Sequence, residues 1–266
     1  PKCLDTSVGP GVGGRAEPDL AEVTPPTQLD ALMPPHLPRG ERLTEPVIRS
    51  PTADPYADYV QDDGVIVAVE GPSAAGKTTW CRRQASAFVE EYAPTGVEPD
   101  GADASAQAAY WVGVNSNRWR RAIDLEARSG TAICDSDPLK LHYSWCLARV
   151  GAAPWSRFEH EFAQARDAFA RGSLGFADLV LISIPAKATL QAQCDADTTR
   201  RRKTFAIHSA LAEPLRSWYQ AVETLEPGRV VWDLPPNGLP QSIPWPRAQR
   251  SDPALLDQLL HLLTPH

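Results

Sequence analysis

Seventeen residues, Val65 to Cys81 (VIVAVEGPSAAGKTTWC), constrain this chain more than any other stretch. Val65–Glu70 is a short apolar run with β-branched residues, the composition of a buried strand. The next eight residues, from Gly71 to Thr78, fit G-x-x-x-x-G-K-[ST] without a mismatch. A helix is expected from Thr79 to about Glu91. Strand, glycine-bounded loop and helix in that order form the context in which this pattern cradles phosphates. Gly71 and Gly76 permit backbone angles that turn successive N–H groups toward one anion, and the helix adds its positive N-terminal end. Lys77 is placed to reach the β- and γ-phosphates, and the Thr78 hydroxyl to ligate Mg²⁺. A nucleotide and Mg²⁺ are therefore expected at this loop. Ser73, Ala74, Ala75 and Thr79 join the two glycines, Lys77 and Thr78 as candidate nucleotide-binding residues.

The 266 residues suffice for one large α/β domain or two small ones, and a hydrophobic share of 42% supports a sizeable core. A net charge of −7 argues against a broad grip on nucleic acid. The five cysteines are scattered, with no C-x-x-C pair, which disfavours a disulfide framework or a zinc site and fits a reducing cytoplasm. No apolar run approaches the roughly 18 residues of a membrane span, and no secretory pattern stands at the N-terminus. The expectation is a soluble cytoplasmic protein whose partner is a small molecule. Its oligomeric state is unreadable.

Residues 1–63 hold eleven of the 26 prolines and no sustained hydrophobic period. They read as a disordered extension. Residues 64–266 read as one α/β domain. Ala106–Val114 is ambiguous between strand and helix, while Arg118–Arg128 reads as a helix stopped by Gly130. Thr131–Cys134 is a second strand candidate, and Leu139–Val150 a helix capped by Asp137 with Pro138 at its first position. Phe158, Phe162, Ala165 and Phe169 form a core-facing stripe. Leu179–Ile184 is a third strand. A helical seam runs through Ile207, Leu211, Leu215, Trp218 and Val222, with Pro214 marking a kink or a new start. Arg229–Leu234 is another strand, and Asp252-Pro253 opens a final helix to Leu263. Strands alternating with helices imply a parallel sheet covered on both faces, with the ligand site at the carboxyl ends of the strands.

Asp135 ends an apolar strand, which puts it at the sheet edge that carries the phosphate loop. A carboxylate there can hold a Mg²⁺-bound water or accept a proton from an attacking hydroxyl. Asp137 is its rival for the base, with helix capping as the plainer role. Arg200, Arg201 and Arg202, in a run of four positive residues ending at Lys203, can clamp transferring phosphates if a loop brings them over the site. Arg118 and Arg121 are candidate acceptor-binding residues, with an ordinary surface role as the alternative. Glu70 reads as closing its strand end. Lys140 and His142 lie one turn beyond Asp137, and a lone histidine is read as structural.

With these positions in hand, the chain resembles P-loop kinases of the nucleoside and nucleotide kinase, thymidylate kinase-like type. The loop from Glu70 to Thr79 looks like theirs, Asp135 follows an apolar strand as their strand-end acid does, and Asp195 to Arg202 resembles their arginine-bearing lid. The resemblance implies a mainly five-stranded parallel sheet in a three-layer sandwich, Mg-ATP as donor, and an acceptor bound between the Asp135 region and the lid. The Asp-Arg or Glu-Arg pair usual after the third strand reads Asp135-Ser136-Asp137-Pro138 here. The reading is a phosphotransferase that moves the γ-phosphoryl of ATP to a nucleoside or nucleoside monophosphate. The alternatives are a P-loop ATPase and a kinase of another metabolite or antibiotic hydroxyl. The guanine-specific N-K-x-D is absent, and Ser136 stands where a motor would carry a glutamate.

Overall fold

In a computed structural model the structure describes residues 64–196, 207, 210–240 and 249–264. The chain divides into two units, Pro1–Ala53 and Asp54–His266, and every described residue belongs to the second. The proline-rich stretch 1–63 lies outside the described residues.

Four parallel strands form the sheet, β1 (Val65–Glu70), β2 (Thr131–Asp135), β3 (Leu179–Ile182) and β4 (Val230–Val231), in the order β2-β1-β3-β4. The register pairs Val69 with Asp135 and Glu70 with Ile182, so the carboxyl ends of β2, β1 and β3 reach one edge. Five strands were expected; four form among the described residues. What stands outside β2 is a single parallel bridge, in which Val89 N donates to Ile133 O and Asp135 N to Val89 O, each at 2.8 Å. That bridge corrects the first helix as well. Helix α1 spans only Lys77–Gln84, and Ala85 turns extended (φ −144°, ψ 144°). The Ala- and Glu-containing segment to Glu91 is compatible with a helix, but pairing with the outer edge of β2 needs an extended chain, and the tertiary contact wins.

The remaining helices are α2 (Ala104–Ser129), α3 (Leu141–Arg149), α4 (Trp155–Ala170), α5 (Lys187–Ala196), α6 (Ala212–Leu225) and α7 (Pro253–Leu263). The ambiguous stretch at 106–114 is thus helical and continuous with Arg118–Arg128. Asp103 caps α2 by accepting from Ser105 N and Ala106 N, and Gly130 closes it at φ 70°. Asp252 caps α7 through Ala254 N, as the Asp-Pro pair implies. Pro214 lies in the first turn of α6, so it marks a new start. Asp137 does not cap α3, because that helix begins at Leu141.

Alternation along the strands separates two cores. Ile66, Ala68, Ala132, Cys134, Val180 and Ile182 face α2, α3, α4, α6 and α7, where Trp119, Trp145, Phe169 and Trp218 are buried. Val65, Val67, Val69, Ile133, Leu179 and Leu181 face Trp80 and Cys81 of α1. Helices therefore cover both faces of the sheet in three layers. The amino edge is closed by ions: Arg250 binds Asp178, Glu126 and Gly64 O, while Asp178 accepts from Ile66 N. Among the described residues no helix is long and apolar enough to cross a membrane.

Candidate active site

The loop between β1 and α1 has a steric reason for its first glycine. A Cβ on Gly71, at φ 154°, would lie 2.2 Å from Ser183 O. Gly76 adopts φ 83° with open space where its Cβ would be, and Ala74 is held at φ 73°. A non-glycine residue in the left-handed region costs energy, and such strain concentrates where a backbone is shaped for a ligand. Helix α1 starts at this loop with no side-chain cap and no acid in its first turn. Its leading N–H groups and positive end are thus left for an anion. The Lys77 ammonium donates to Gly71 O (2.9 Å) and Pro72 O (3.2 Å), which folds its stem back over the loop.

At the end of β2, Thr78 Oγ1 donates to Asp135 Oδ2 at 2.6 Å. Asp135 Oδ1 is buried and has no hydrogen-bond partner. Burial raises the Asp135 carboxyl above its ordinary value, against the Thr78 hydrogen bond. An orphaned carboxylate oxygen beside a threonine hydroxyl is a donor set suited to a hard cation such as Mg²⁺. That ion takes one or two protein oxygens and completes its shell with phosphates and water. The described residues contain no group of three or more His, Cys, Asp or Glu side chains able to hold a metal, so Thr78 and Asp135 are the fit.

Glu70 proves to be the hub of the carboxyl edge. Oε1 accepts from Gly71 N, while Oε2 accepts from Ser136 Oγ (2.9 Å), Asp137 N (3.0 Å) and Lys140 Nζ (3.3 Å) and lies 3.4 Å from His142 Nε2. The buried ring of His142 continues to the Tyr219 hydroxyl (Nδ1 to Oη, 3.3 Å), which donates to Asp137 Oδ2 at 3.0 Å. Ser136 and Lys140 take left-handed angles, φ 74° and 48°, to turn the 136–140 loop back onto Glu70. Lys140 also contacts Ser136 Oγ and Glu91. Burial pushes the Glu70 carboxyl up, but the Lys140 and His142 charges outweigh it and hold it well below the usual range. Lys140 is pushed down by burial and, more strongly, up by Glu70 and Glu91. The Glu70 contribution to stability is therefore present above its unfolded value and lost as pH falls through the folded one. The Lys140 contribution is present below its unfolded value and lost as pH rises through the folded one. Lys140→Met is expected to move the acid-unfolding midpoint to higher pH, as followed by circular dichroism during titration.

The other expected residues separate clearly. Asp137 is buried, with Oδ1 on Leu139 N and Oδ2 on Tyr219, and does not line the cavity. Its carboxylate organises the loop, which does not suit the base first suggested for it. Arg118 borders the cavity, but its guanidinium holds four backbone carbonyls: Glu90, Asp135, Ser136 and Asp137. Its geometry is that of a clasp between backbone segments. Arg121 is exposed on α2 and does not line the cavity. Arg200, Arg201 and Arg202 lie outside the described residues. Glu70 reads from the sequence only as closing its strand end and Glu91 carries no signal, because the partners that define them are some 50 to 70 residues away.

A cavity of about 1360 Å³ runs from Ser73–Thr79 past Lys77 and Lys140 into a chamber walled by Tyr92, Trp111, Tyr143, Leu211 and Leu215. At the chamber wall Trp111 meets Tyr92 and Tyr110 edge-on, with centroids 5.3 and 5.2 Å away. Single small-ligand sites occupy roughly 300–1,000 Å³. This one has room for a nucleotide and a second molecule.

No protein-family model matches the chain, and no curated protein matches it. Among solved structures it is similar to deoxyadenosine kinase from M. mycoides with bound dATP, at 14% identity and a TM-score of 0.46 over 63% of this chain and 90% of that one. It is similar to the same enzyme with products dCMP and a flexible dCDP bound, at 11% identity and 0.42 over 74% and 96%. It is also similar to NadR in complex with NR, at 18% identity and 0.43 over 76% of this chain and 52% of that one.

Proposed function

We propose that this protein is a phosphotransferase that moves the γ-phosphoryl of ATP to a small-molecule acceptor of nucleoside or nucleoside monophosphate type. One observation carries the reading: the phosphate loop opens into a cavity that continues past Lys77 into an aromatic-walled chamber. A hydrolase needs only water beyond the γ-phosphate. A chamber lined by Tyr92, Trp111 and Tyr143 suits a second, planar substrate.

The N–H groups at the start of α1 and around Gly76 bind the donor phosphates, and Lys77 offsets charge on the transferring group. Thr78 and Asp135 would hold magnesium, which would supply positive charge to offset the charge that develops on the phosphates. Glu70 keeps Lys140 and the 136–140 loop at the carboxyl edge, so the acceptor meets a fixed wall. Orientation of the two substrates is the main contribution such a site makes to the rate.

A radiolabelled-ATP screen over nucleosides and nucleoside monophosphates tests the reading, and hydroxylated antibiotics cover the wider metabolite alternative. Label transfer to one acceptor class is expected. ATP binding without transfer or hydrolysis would sink it. Asp135→Asn is expected to lower turnover by about 10²-fold or more and to raise the magnesium concentration required, read in a metal titration.

A further inference from the structure

His142 is buried at the second position of α3, and the phosphoryl-transfer scheme makes no use of it. Its two ring nitrogens face different partners. Nε2 lies 3.4 Å from Glu70 Oε2, and Nδ1 lies 3.3 Å from the Tyr219 hydroxyl. That hydroxyl has one proton, which goes to Asp137 Oδ2 at 3.0 Å. Burial and the Asp137 and Glu70 charges hold the Tyr219 phenol well above its usual range, so the proton stays on it. Toward Nδ1 the Tyr219 oxygen can therefore only accept. Glu70 is a carboxylate and only accepts as well.

Both ring nitrogens thus need a proton, which makes His142 an imidazolium. Its charge is matched by Glu70 of β1 on one side and, through Tyr219 of α6, by Asp137 on the other. Lys140, which shares Glu70, opposes it, as does Arg118, which is bonded to the Asp137 carbonyl. Cys146, one turn along α3, stays a thiol because burial pushes it up. The Glu70 carboxyl lies well below its usual range and the Lys140 ammonium above its own, so both keep their charge around neutral pH. Of the residue types gathered here, only histidine ordinarily changes charge between about pH 5 and 8.

We propose that His142 is a positioning residue for phosphoryl transfer: as an imidazolium it fixes the Glu70 carboxylate, which in turn holds the first amide of the phosphate loop and Lys140 at the cavity. This rests on the phosphoryl-transfer reading above. Glu70 Oε1 accepts from Gly71 N at 2.9 Å, while Oε2 accepts from Ser136, Asp137 N and Lys140. His142 approaches that same oxygen from α3. At its other nitrogen Tyr219 brings in α6, the helix that carries Leu215 of the chamber wall. One ring therefore ties the phosphate loop, the 136–140 loop and α6 together. A neutral ring would turn a lone pair toward either Glu70 or Tyr219, and the tie would open on that side.

The chain has six histidines, and His142→Gln identifies the His142 ring signals in ¹⁵N NMR of the full chain by their loss. Two protonated ring nitrogens at neutral pH are expected. Radiolabelled ATP with the common nucleosides and their 5′-monophosphates then gives a pH profile of kcat/KM, with ATP hydrolysis read where no probe accepts label. Over pH values at which circular dichroism shows the chain folded, turnover is expected to fall by about tenfold or more as rising pH removes the second proton. Tyr219→Phe takes away the acceptor of Nδ1–H and is expected to move both the NMR titration and the activity fall to lower pH. His142→Gln, whose amide donates from one end only, is expected to be slow at every pH and to lack the fall. If His142→Gln does not fold, the ring signal that moves in Tyr219→Phe identifies His142 and the same comparison decides. A single protonated nitrogen at neutral pH overturns the proposal, as does a fall that persists in His142→Gln or stays in place in Tyr219→Phe. An imidazolium with neither transfer nor hydrolysis instead removes the phosphoryl-transfer reading, and the positioning role with it.

Discussion

Lys77→Ala is expected to lower kcat/KM for phosphoryl transfer by roughly 10²–10³-fold, the size of effect seen when one preorganised donor is removed from a transition state. The reason lies in where its ammonium already is. Held by Gly71 O and Pro72 O, it sits inside the loop before any ligand arrives, so little reorganisation is needed during reaction. Fold stability should change little. Gly71 and Pro72 line the cavity, from which water can replace the lost donor at a cost of about 1 kcal/mol. Rate and denaturant midpoint measured on the same variant separate the two effects, and a variant with parental turnover would remove the phosphate-transfer role from this loop.

Arg118→Met is expected to do the opposite, lowering stability first. Removing the guanidinium orphans four carbonyls on two segments, Glu90 on one and Asp135 to Asp137 on the other. Each buried acceptor left without a donor costs about 1–3 kcal/mol. Allowing for relaxation and entering water, the total loss is expected to be at least about 3 kcal/mol. It would be read as a lower urea midpoint at unchanged slope. Lysine is no substitute, because a single ammonium cannot reproduce a planar five-donor fork. A midpoint within 0.5 kcal/mol of the parent (about the scatter of neutral surface changes) would refute the clasp.

These two residues also mark what the sequence could and could not reveal. The phosphate loop was legible because its geometry is local: a strand, two glycines at fixed spacing and a helix start are written in eight consecutive positions. The same holds for the Asp252 cap, bonded to an N–H two residues on. Arg118 was noticed for its charge, but a guanidinium's role depends on what it faces, and here it faces carbonyls about 17 to 28 residues away. Asp137 looked equally suited to a base or a helix cap, and Tyr219, 82 residues later, draws it into an internal network instead. Glu70 was visible beside the loop yet uninterpretable, because three of its four donors lie beyond residue 135. The shorter first helix follows the same logic. Nothing in Ala85–Glu91 forbids a helix; the partner strand that overrides it is 45 residues away.

The ionic clasp at the opposite edge has a consequence for the timing of synthesis. Glu126 and Asp178 are buried beneath the sheet, and the guanidinium that ties them to each other and to Gly64 O arrives only at residue 250. Until then the tie to Gly64 O and the ion pairs that join Glu126 to Asp178 are missing, although Ile66 N already has Asp178 and Val65 N has Gly130 O. Contacts spanning up to 186 residues are slow to close and of no use to a partial chain. The amino edge of the sheet therefore consolidates only after residue 250 has emerged. A nascent chain stopped before Arg250 would expose two carboxylates built for burial, making it a target for chaperones rather than a folded intermediate.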